Sequence, residues 1–168
     1  MVAQARCWTP AVWEGGTCGA VQRFISQVVN RLDAKGRVSV PAPFRQVLSR
    51  QGMEGFYCAK SATYPTLNGY GENLLADLDE NLKHLNPLSA DYAAQATNVY
   101  GDANFLEFDG EGRVRLPDEL IAHAGIQDRV LFLGLNRIFE IWNPDTFPSV
   151  HADRIAKVRS TLNPGASA

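Results

Sequence analysis

Residues 31 to 41, Arg31-Leu32-Asp33-Ala34-Lys35-Gly36-Arg37-Val38-Ser39-Val40-Pro41, are largely written a second time as Glu107-Phe108-Asp109-Gly110-Glu111-Gly112-Arg113-Val114-Arg115-Leu116-Pro117. Asp33, Gly36, Arg37, Val38 and Pro41 return as Asp109, Gly112, Arg113, Val114 and Pro117, at the one offset that separates 33 from 109 and 41 from 117. A chain that carries one frame twice in register must build the same local structure twice and find a way to accommodate both.

The physics of the frame predicts a tight hairpin. Gly36 and Gly112 can take a positive φ, and Asp33 and Asp109 can accept the turn's backbone N–H groups through their carboxylates. Beyond each glycine the side chains alternate, so Val38 and Val40 point one way and Arg37 and Ser39 the other; Val114 and Leu116 oppose Arg113 and Arg115 in the second copy. Each hairpin therefore has an apolar face and an arginine face. Pro41 and Pro117 lack an N–H, end the ladder and open a short helix.

Two Asp-x-x-x-Arg motifs, Asp33 to Arg37 and Asp109 to Arg113, each inside Asp-x-x-Gly-Arg-Val-x-[Val/Leu]-Pro, resemble the MraZ family of bacterial transcriptional regulators. The resemblance runs from about Arg23 to about Phe147. It implies an α+β fold, mainly β with short helices, built as a tandem repeat of two swapped-hairpin AbrB-like half-barrels with a helical insert and a C-terminal helix. It also implies a homo-oligomeric ring that binds repeated double-stranded DNA sites upstream of division and cell-wall genes, with autorepression.

The whole chain is 168 residues with 45% apolar content, enough for a core, while 16 Lys+Arg against 18 Asp+Glu give a net charge of −2. A general attraction to nucleic acid or membrane is thus absent, and any DNA contact must come from local clustering. No apolar run is long enough to span a bilayer and no signal-peptide pattern opens the chain, which points to the cytoplasm and to no membrane partner; association with the nucleoid is what the family resemblance implies. Cys7, Cys18 and Cys58 form no Cys-x-x-Cys and support neither a disulfide framework nor a zinc site.

In chain order, residues 1–22 lack periodicity and read as a leader that is disordered or translated from upstream of the true start, with Val21 at a position where an alternative start codon could lie. Residues 23–71 form the first repeat: a strand over 24–31, the hairpin, a helix carrying Phe44, Val47 and Leu48 and closed near Gly52, then strands over 56–59 and 63–70. Residues 72–102 have no counterpart later and form a helical connector. There Leu74, Leu75, Leu78, Leu82 and Leu85 make an apolar stripe that serves as core or as a subunit contact, and Ser89 is placed to cap a second helix. Residues 103–147 repeat the plan, with a helix through Leu120, Ile121 and Ala124 that stops at Gly125 and strands over 130–135 and 138–142. A last amphipathic helix over 151–162, read as solvated, lies within the tail 148–168.

The copies differ in sign. From 31 to 39, Arg31, Lys35 and Arg37 stand against Asp33; from 107 to 115, Arg113 and Arg115 stand against Glu107, Asp109 and Glu111. Between Arg23 and Arg50 six cations face one acid, and a duplex rewards such a patch by releasing counterions. Arg31, Lys35 and Arg37 are therefore expected at the DNA surface with Arg45 near, and Arg113 and Arg115 are the corresponding candidates from the acidic copy, which should be held off the phosphates. Two alternatives compete. Arg37 and Arg113 could simply brace their turns by pairing with Asp33 and Asp109, or the unlike hairpins of neighbouring protomers could meet as an assembly code.

Catalysis finds no support in the residues. His84, His123 and His151 are dispersed, Cys58 has no nominated base, and Gly69-Tyr70-Gly71 lacks the helix and Lys of a phosphate-cradling loop. No cofactor, metal or small-molecule substrate is implied. An AbrB-like antitoxin, or a ring-forming assembly protein without DNA, remain the alternatives to a regulator.

Overall fold

The computed structural model describes residues 23–162; the leader lies outside the described residues, as do the last six. The strands are β1 (Gln27–Arg31), β2 (Arg37–Ser39), β3 (Gly55–Lys60), β4 (Leu67–Tyr70), β5 (Asn104–Glu107), β6 (Arg113–Arg115), β7 (Arg129–Leu135) and β8 (Ile138–Trp142). The helices are α1 (Ala42–Arg50), α2 (Glu72–Leu82), α3 (Ala90–Ala96), α4 (Asp118–Ala124) and α5 (Phe147–Leu162), with a π-helical turn over Thr97–Gly101. The fold is α+β, mainly β with short helices, as expected.

The expected hairpins do not close. Each turn forms, but the strands on either side of it part, leaving only a Leu32–Val38 bridge in the first copy. Proline ends β2 after three residues, too few to satisfy the five of β1, so β1 pairs antiparallel with β7 instead. β5 likewise pairs with β3, and β2 pairs with β6. The opening strand of each half thus lies on a strand of the other half. One antiparallel sheet in the order β1-β7-β8-β4-β3-β5 results, together with a two-stranded ribbon β2-β6.

The pairing is close to two-fold symmetric. Val38 and Val114 are equivalent in the repeat and are each other's ladder partners, so the pseudo-axis passes between them. Arg31 pairs with Arg129 where Glu107 pairs with Gly55, and Tyr57–Tyr70 corresponds to Leu131–Trp142. Since 107 is the repeat of 31, these registers make 129 the repeat of 55 and 142 the repeat of 70. The two-residue losses fall in the helix region and in the turn before the last strand.

The apolar faces meet in one core. Val38, Val40, Val114 and Leu116 from the two frames, Phe44 and Leu48 of α1 and Leu120 and Ala124 of α4 are buried with Phe56, Phe132 and Ile141. At its centre is Phe139, whose ring lies 4.9 Å from that of Phe24, 5.0 Å from Phe56 and 5.2 Å from Phe44.

Helix boundaries follow local chemistry. Gly52 (φ 76°) and Gly125 (φ 59°) take the left-handed conformation that ends α1 and α4, and the Ser89 side chain accepts the Tyr92 N–H at 3.1 Å to cap α3. Three elements differ from their sequence expectations. The first strand starts at Gln27, because Ser26 has φ 119° and the backbone of Phe24 is pressed onto Gly134, where a side chain would collide with it. The strand expected over 63–70 starts at Leu67, because Thr66 turns inward and donates its hydroxyl to the Ile141 carbonyl at 2.7 Å. The last helix starts at Phe147 and not at His151, since Pro148 falls in its first turn, where a missing N–H costs nothing. That helix is also anchored. Arg154 makes two 2.8 Å bonds to the carboxylate of Glu140, which is 6% exposed.

Candidate nucleic-acid interface

The two frames fold into the same bonded unit. In the first, Asp33 Oδ1 accepts the N–H groups of Lys35 (2.9 Å) and Arg37 (2.8 Å), and Oδ2 accepts Arg37 Nε at 2.8 Å. In the second, Asp109 Oδ1 accepts the N–H groups of Glu111 and Arg113 at 2.9 Å each, and Oδ2 accepts Arg113 Nε at 2.8 Å. Gly36 and Gly112 both have φ 72° and donate to the carbonyls of Asp33 and Asp109. The bracing role of both arginines is therefore present, and each still keeps about a third of its side chain in solvent.

These bonds set the carboxyl chemistry. The Arg37 backbone N–H and then its guanidinium hold the Asp33 carboxyl at about 2, below the ordinary 3.8. The Arg113 backbone N–H and guanidinium lower Asp109 in the same direction. A carboxylate depressed in the folded state stabilises it above the unfolded value and loses that contribution as pH falls through the folded one. Acidification from about pH 4 toward pH 2 is thus expected to loosen both turns, with Asp33 titrating near 2 by NMR. An Asp33 midpoint at the ordinary value would remove the ion pair from solution.

Pairing of β2 with β6 brings the two arginine faces together. Arg37 lies opposite Arg115 and Ser39 opposite Arg113, while Val38 and Val114 turn into the core. Ladder bonds run from Leu116 N–H to the Gly36 carbonyl (2.9 Å) and from Val40 N–H to the Gly112 carbonyl (3.1 Å). Arg37–Arg115 and Ser39–Arg113 are consequently the non-hydrogen-bonded pairs, in which opposed side chains approach most closely. Two like charges meet there. Asp33 compensates Arg37, and Asp109 and Glu111 compensate Arg113, whereas no acid pairs with Arg115 among the described residues.

The other candidates lie around this ribbon. Lys35 is exposed at the first turn with no ion pair among the described residues. Arg31 ends β1 opposite Arg129, whose own charge is taken by Asp145 at 2.8 Å; Asn30 Nδ2 ties that strand to the ribbon through the Ser39 carbonyl at 2.6 Å. Arg45 reaches across to the other repeat: its Nε donates to the Val40 carbonyl at 3.1 Å, and its guanidinium covers Gly112 where any Cβ would stand. The ribbon thus sets the arginine-bearing strands of the two copies side by side, with one turn at each of its ends. The sign difference between copies, visible in the sequence, does not reveal that Arg115 stands beside Arg37. The signal was there in principle, because two equal frames related by a two-fold axis can pair with each other.

Chemistry of other kinds has little to work with. Cys58 is buried and its thiol is pushed up to about 12 by desolvation. No group of three metal-ligating side chains occurs among the described residues, and no helix there is long and apolar enough to cross a membrane.

Fold and face together define an internally duplicated α+β protein that presents one arginine-bearing ribbon. A family model described as "MraZ protein, putative antitoxin-like" matches residues 99–160. The chain is 42% identical over 139 residues to the "Transcriptional regulator MraZ" of Xanthobacter autotrophicus, covering 83% of this chain and 88% of that one. The protein of the same name from Azorhizobium caulinodans is 40% identical over 139 residues (83% and 88%), and that of Rhizobium johnstonii 34% identical over 132 residues (79% and 91%). The chain belongs to the MraZ family.

Proposed function

We propose that this protein is a DNA-binding transcriptional regulator that lays the β2-β6 ribbon against the phosphate backbone at repeated sites, several copies acting together on a ring. The observation that carries the reading is the opposition of Arg37 and Arg115. Like charges at the closest positions of a ladder are unfavourable unless anions cover them; Asp33 covers Arg37, and a phosphate would supply the anion that Arg115 lacks among the described residues. Arg31 and Lys35 extend the cationic surface along the first turn. The exchange of β1 and β5 between halves supports taking each half as an AbrB-like swapped hairpin, and the relatives' names support the regulatory role.

One ribbon makes few contacts and reads few bases, so affinity must come from multiplicity. Copies held at fixed spacing turn weak contacts into avidity for a repeated operator. Sites upstream of the protein's own division and cell-wall cluster, with autorepression, are the targets of this reading.

Binding of the purified protein to its own upstream DNA across a salt series is the test. Each phosphate contact contributes roughly 0.9 to the slope of log affinity against log salt. Arg115→Ala and Arg37→Ala are expected to flatten that slope and weaken binding at all sequences, while Arg129→Ala, a cation already paired with Asp145, leaves it unchanged. Wild-type protein that is assembled yet shows no saturable shift at low salt would overturn the reading.

A further inference from the structure

We propose that the cleft between α1 and the second turn binds a free apolar α-amino acid, a role that goes beyond the DNA reading and does not depend on it. The cleft encloses about 400 Å³, within the roughly 300–1,000 Å³ common for small-molecule sites. Arg45 and Ser49, one helical turn apart on α1, form one wall. Met53 and Glu54 follow from the loop after the helix, and Phe108, Asp109 and Gly110 close the other side. The cleft is open past Gly110, where nothing lies within 4 Å of a Cβ position.

A break in the internal repeat sets this place apart. At the offset that relates the two frames, Arg45 corresponds to Ile121 and Gly112 to Gly36. The Arg45 guanidinium stands where a Gly112 Cβ would be, whereas Ile121 Cδ1 lies 3.6 Å from that position at Gly36. Ile121 packs on the core, so an apolar side chain suffices to cover such a turn. A cation at the equivalent place in one copy alone is surplus to the fold.

That cation is not neutralised. Arg45 Nε donates to the Val40 carbonyl at 3.1 Å, and its guanidinium has no ion pair among the described residues. Asp109 already spends Oδ1 on the N–H groups of Glu111 and Arg113 and Oδ2 on Arg113 Nε. Glu54, exposed on the same cleft, likewise has no cation partner among the described residues. The remaining lining is apolar. Met53 and Phe108 are half-buried against the core, and the Phe108 ring lies 6.2 Å from that of Phe56. Phe108 N–H donates to the Glu54 carbonyl at 2.8 Å, which fixes the acid's backbone beside that ring.

A free cation, a free carboxylate and an apolar floor in one cleft match a zwitterion with an apolar side chain. Its carboxylate takes the outer nitrogens of Arg45 and its ammonium donates to Glu54. Its side chain rests on Met53 and Phe108, where sulfur and ring are favourable neighbours for an aromatic group.

The experiment titrates L-phenylalanine into the full chain, followed by calorimetry and by amide NMR. Saturable binding is expected, with the largest shifts at Glu54, Gly110 and Gly112. 3-Phenylpropionate lacks only the ammonium and 2-phenylethylamine only the carboxylate; each should bind about tenfold more weakly or worse, because a hydrogen bond between charged groups is lost. Arg45→Ala should bind L-phenylalanine no better than 2-phenylethylamine, and Glu54→Gln should bind it no better than 3-phenylpropionate. Glu54 is exposed, so its variant is expected to fold even where Arg45→Ala, which uncovers Gly112, does not. No saturable binding of L-phenylalanine, an affinity unchanged in Glu54→Gln, or shifts confined to another face would each overturn the proposal. 3-Phenylpropionate binding as tightly as L-phenylalanine overturns it as well, since the cleft would then take any apolar carboxylate. A protein that binds L-phenylalanine here but ignores DNA refutes the regulatory reading and leaves the site standing.

Discussion

Phe139→Ala is expected to lose about 3–5 kcal/mol of folding stability, a large share of what a domain of this size possesses. Its ring is fully buried and meets four other phenylalanine rings, those of Phe24, Phe44, Phe56 and Phe132, with centroids between 4.9 and 6.2 Å away. Its two ladder neighbours are Gly69 on β4 and Gly134 on β7. The Phe139 ring lies over Gly69 where a Cβ would stand, and the Phe24 backbone covers Gly134. Neither glycine has a side chain that can relax into the vacated space, so the cavity stays open and the loss should sit at the upper end for a buried aromatic. Denaturant unfolding measures it. A loss below about 1 kcal/mol with an unchanged slope would show that the surrounding rings repack.

Glu140→Ala should cost about 3 kcal/mol, the low end of the range for breaking a buried pair, because Arg154 keeps about a quarter of its side chain in solvent. Glu140 accepts two bonds from Arg154 and one from Trp142 Nε1, all at 2.8 Å, and the guanidinium sits 5.1 Å from the Tyr64 ring centre and 5.5 Å from that of Trp142. Removing the carboxylate leaves a cation between two rings and an indole N–H without an acceptor. The helix α5 should then loosen first, seen as a change in Trp142 fluorescence below the global transition. Replacing both partners, Glu140→Leu with Arg154→Leu, should restore most of the loss. A double variant no better than the single one would mean that the cost lies elsewhere than in the orphaned charge.

The final helix shows where sequence reading stops. Spacing places an amphipathic helix near His151, and solvation was the natural expectation for its Arg and Lys residues. Glu140, which pairs with Arg154, lies on β8 and is the one polar residue in a strand otherwise apolar. No local pattern links position 140 to 154, because the link runs through the packing of a helix on a sheet. Thr66 and Ser26 are similar cases: a hydroxyl that finds a carbonyl 75 residues away and a positive φ imposed by Gly134 have no periodic signature.

The amino-acid sequence alone determined the duplicated Asp–Gly–Arg turns, their apolar and arginine faces, the glycine and proline limits of α1 and α4, and membership of the family, because all of these depend on residues within one turn or one strand of each other or on a motif repeated at fixed spacing. Only the tertiary structure decided that the hairpins open, that β1 and β5 change places between halves, and that Arg37 stands opposite Arg115. Those outcomes rest on which backbone N–H and C=O groups find partners once proline has cut β2 and β6 short, and that competition is settled between segments far apart in the chain, as in the pairs Phe56–Leu106, Val38–Val114 and Val29–Leu131.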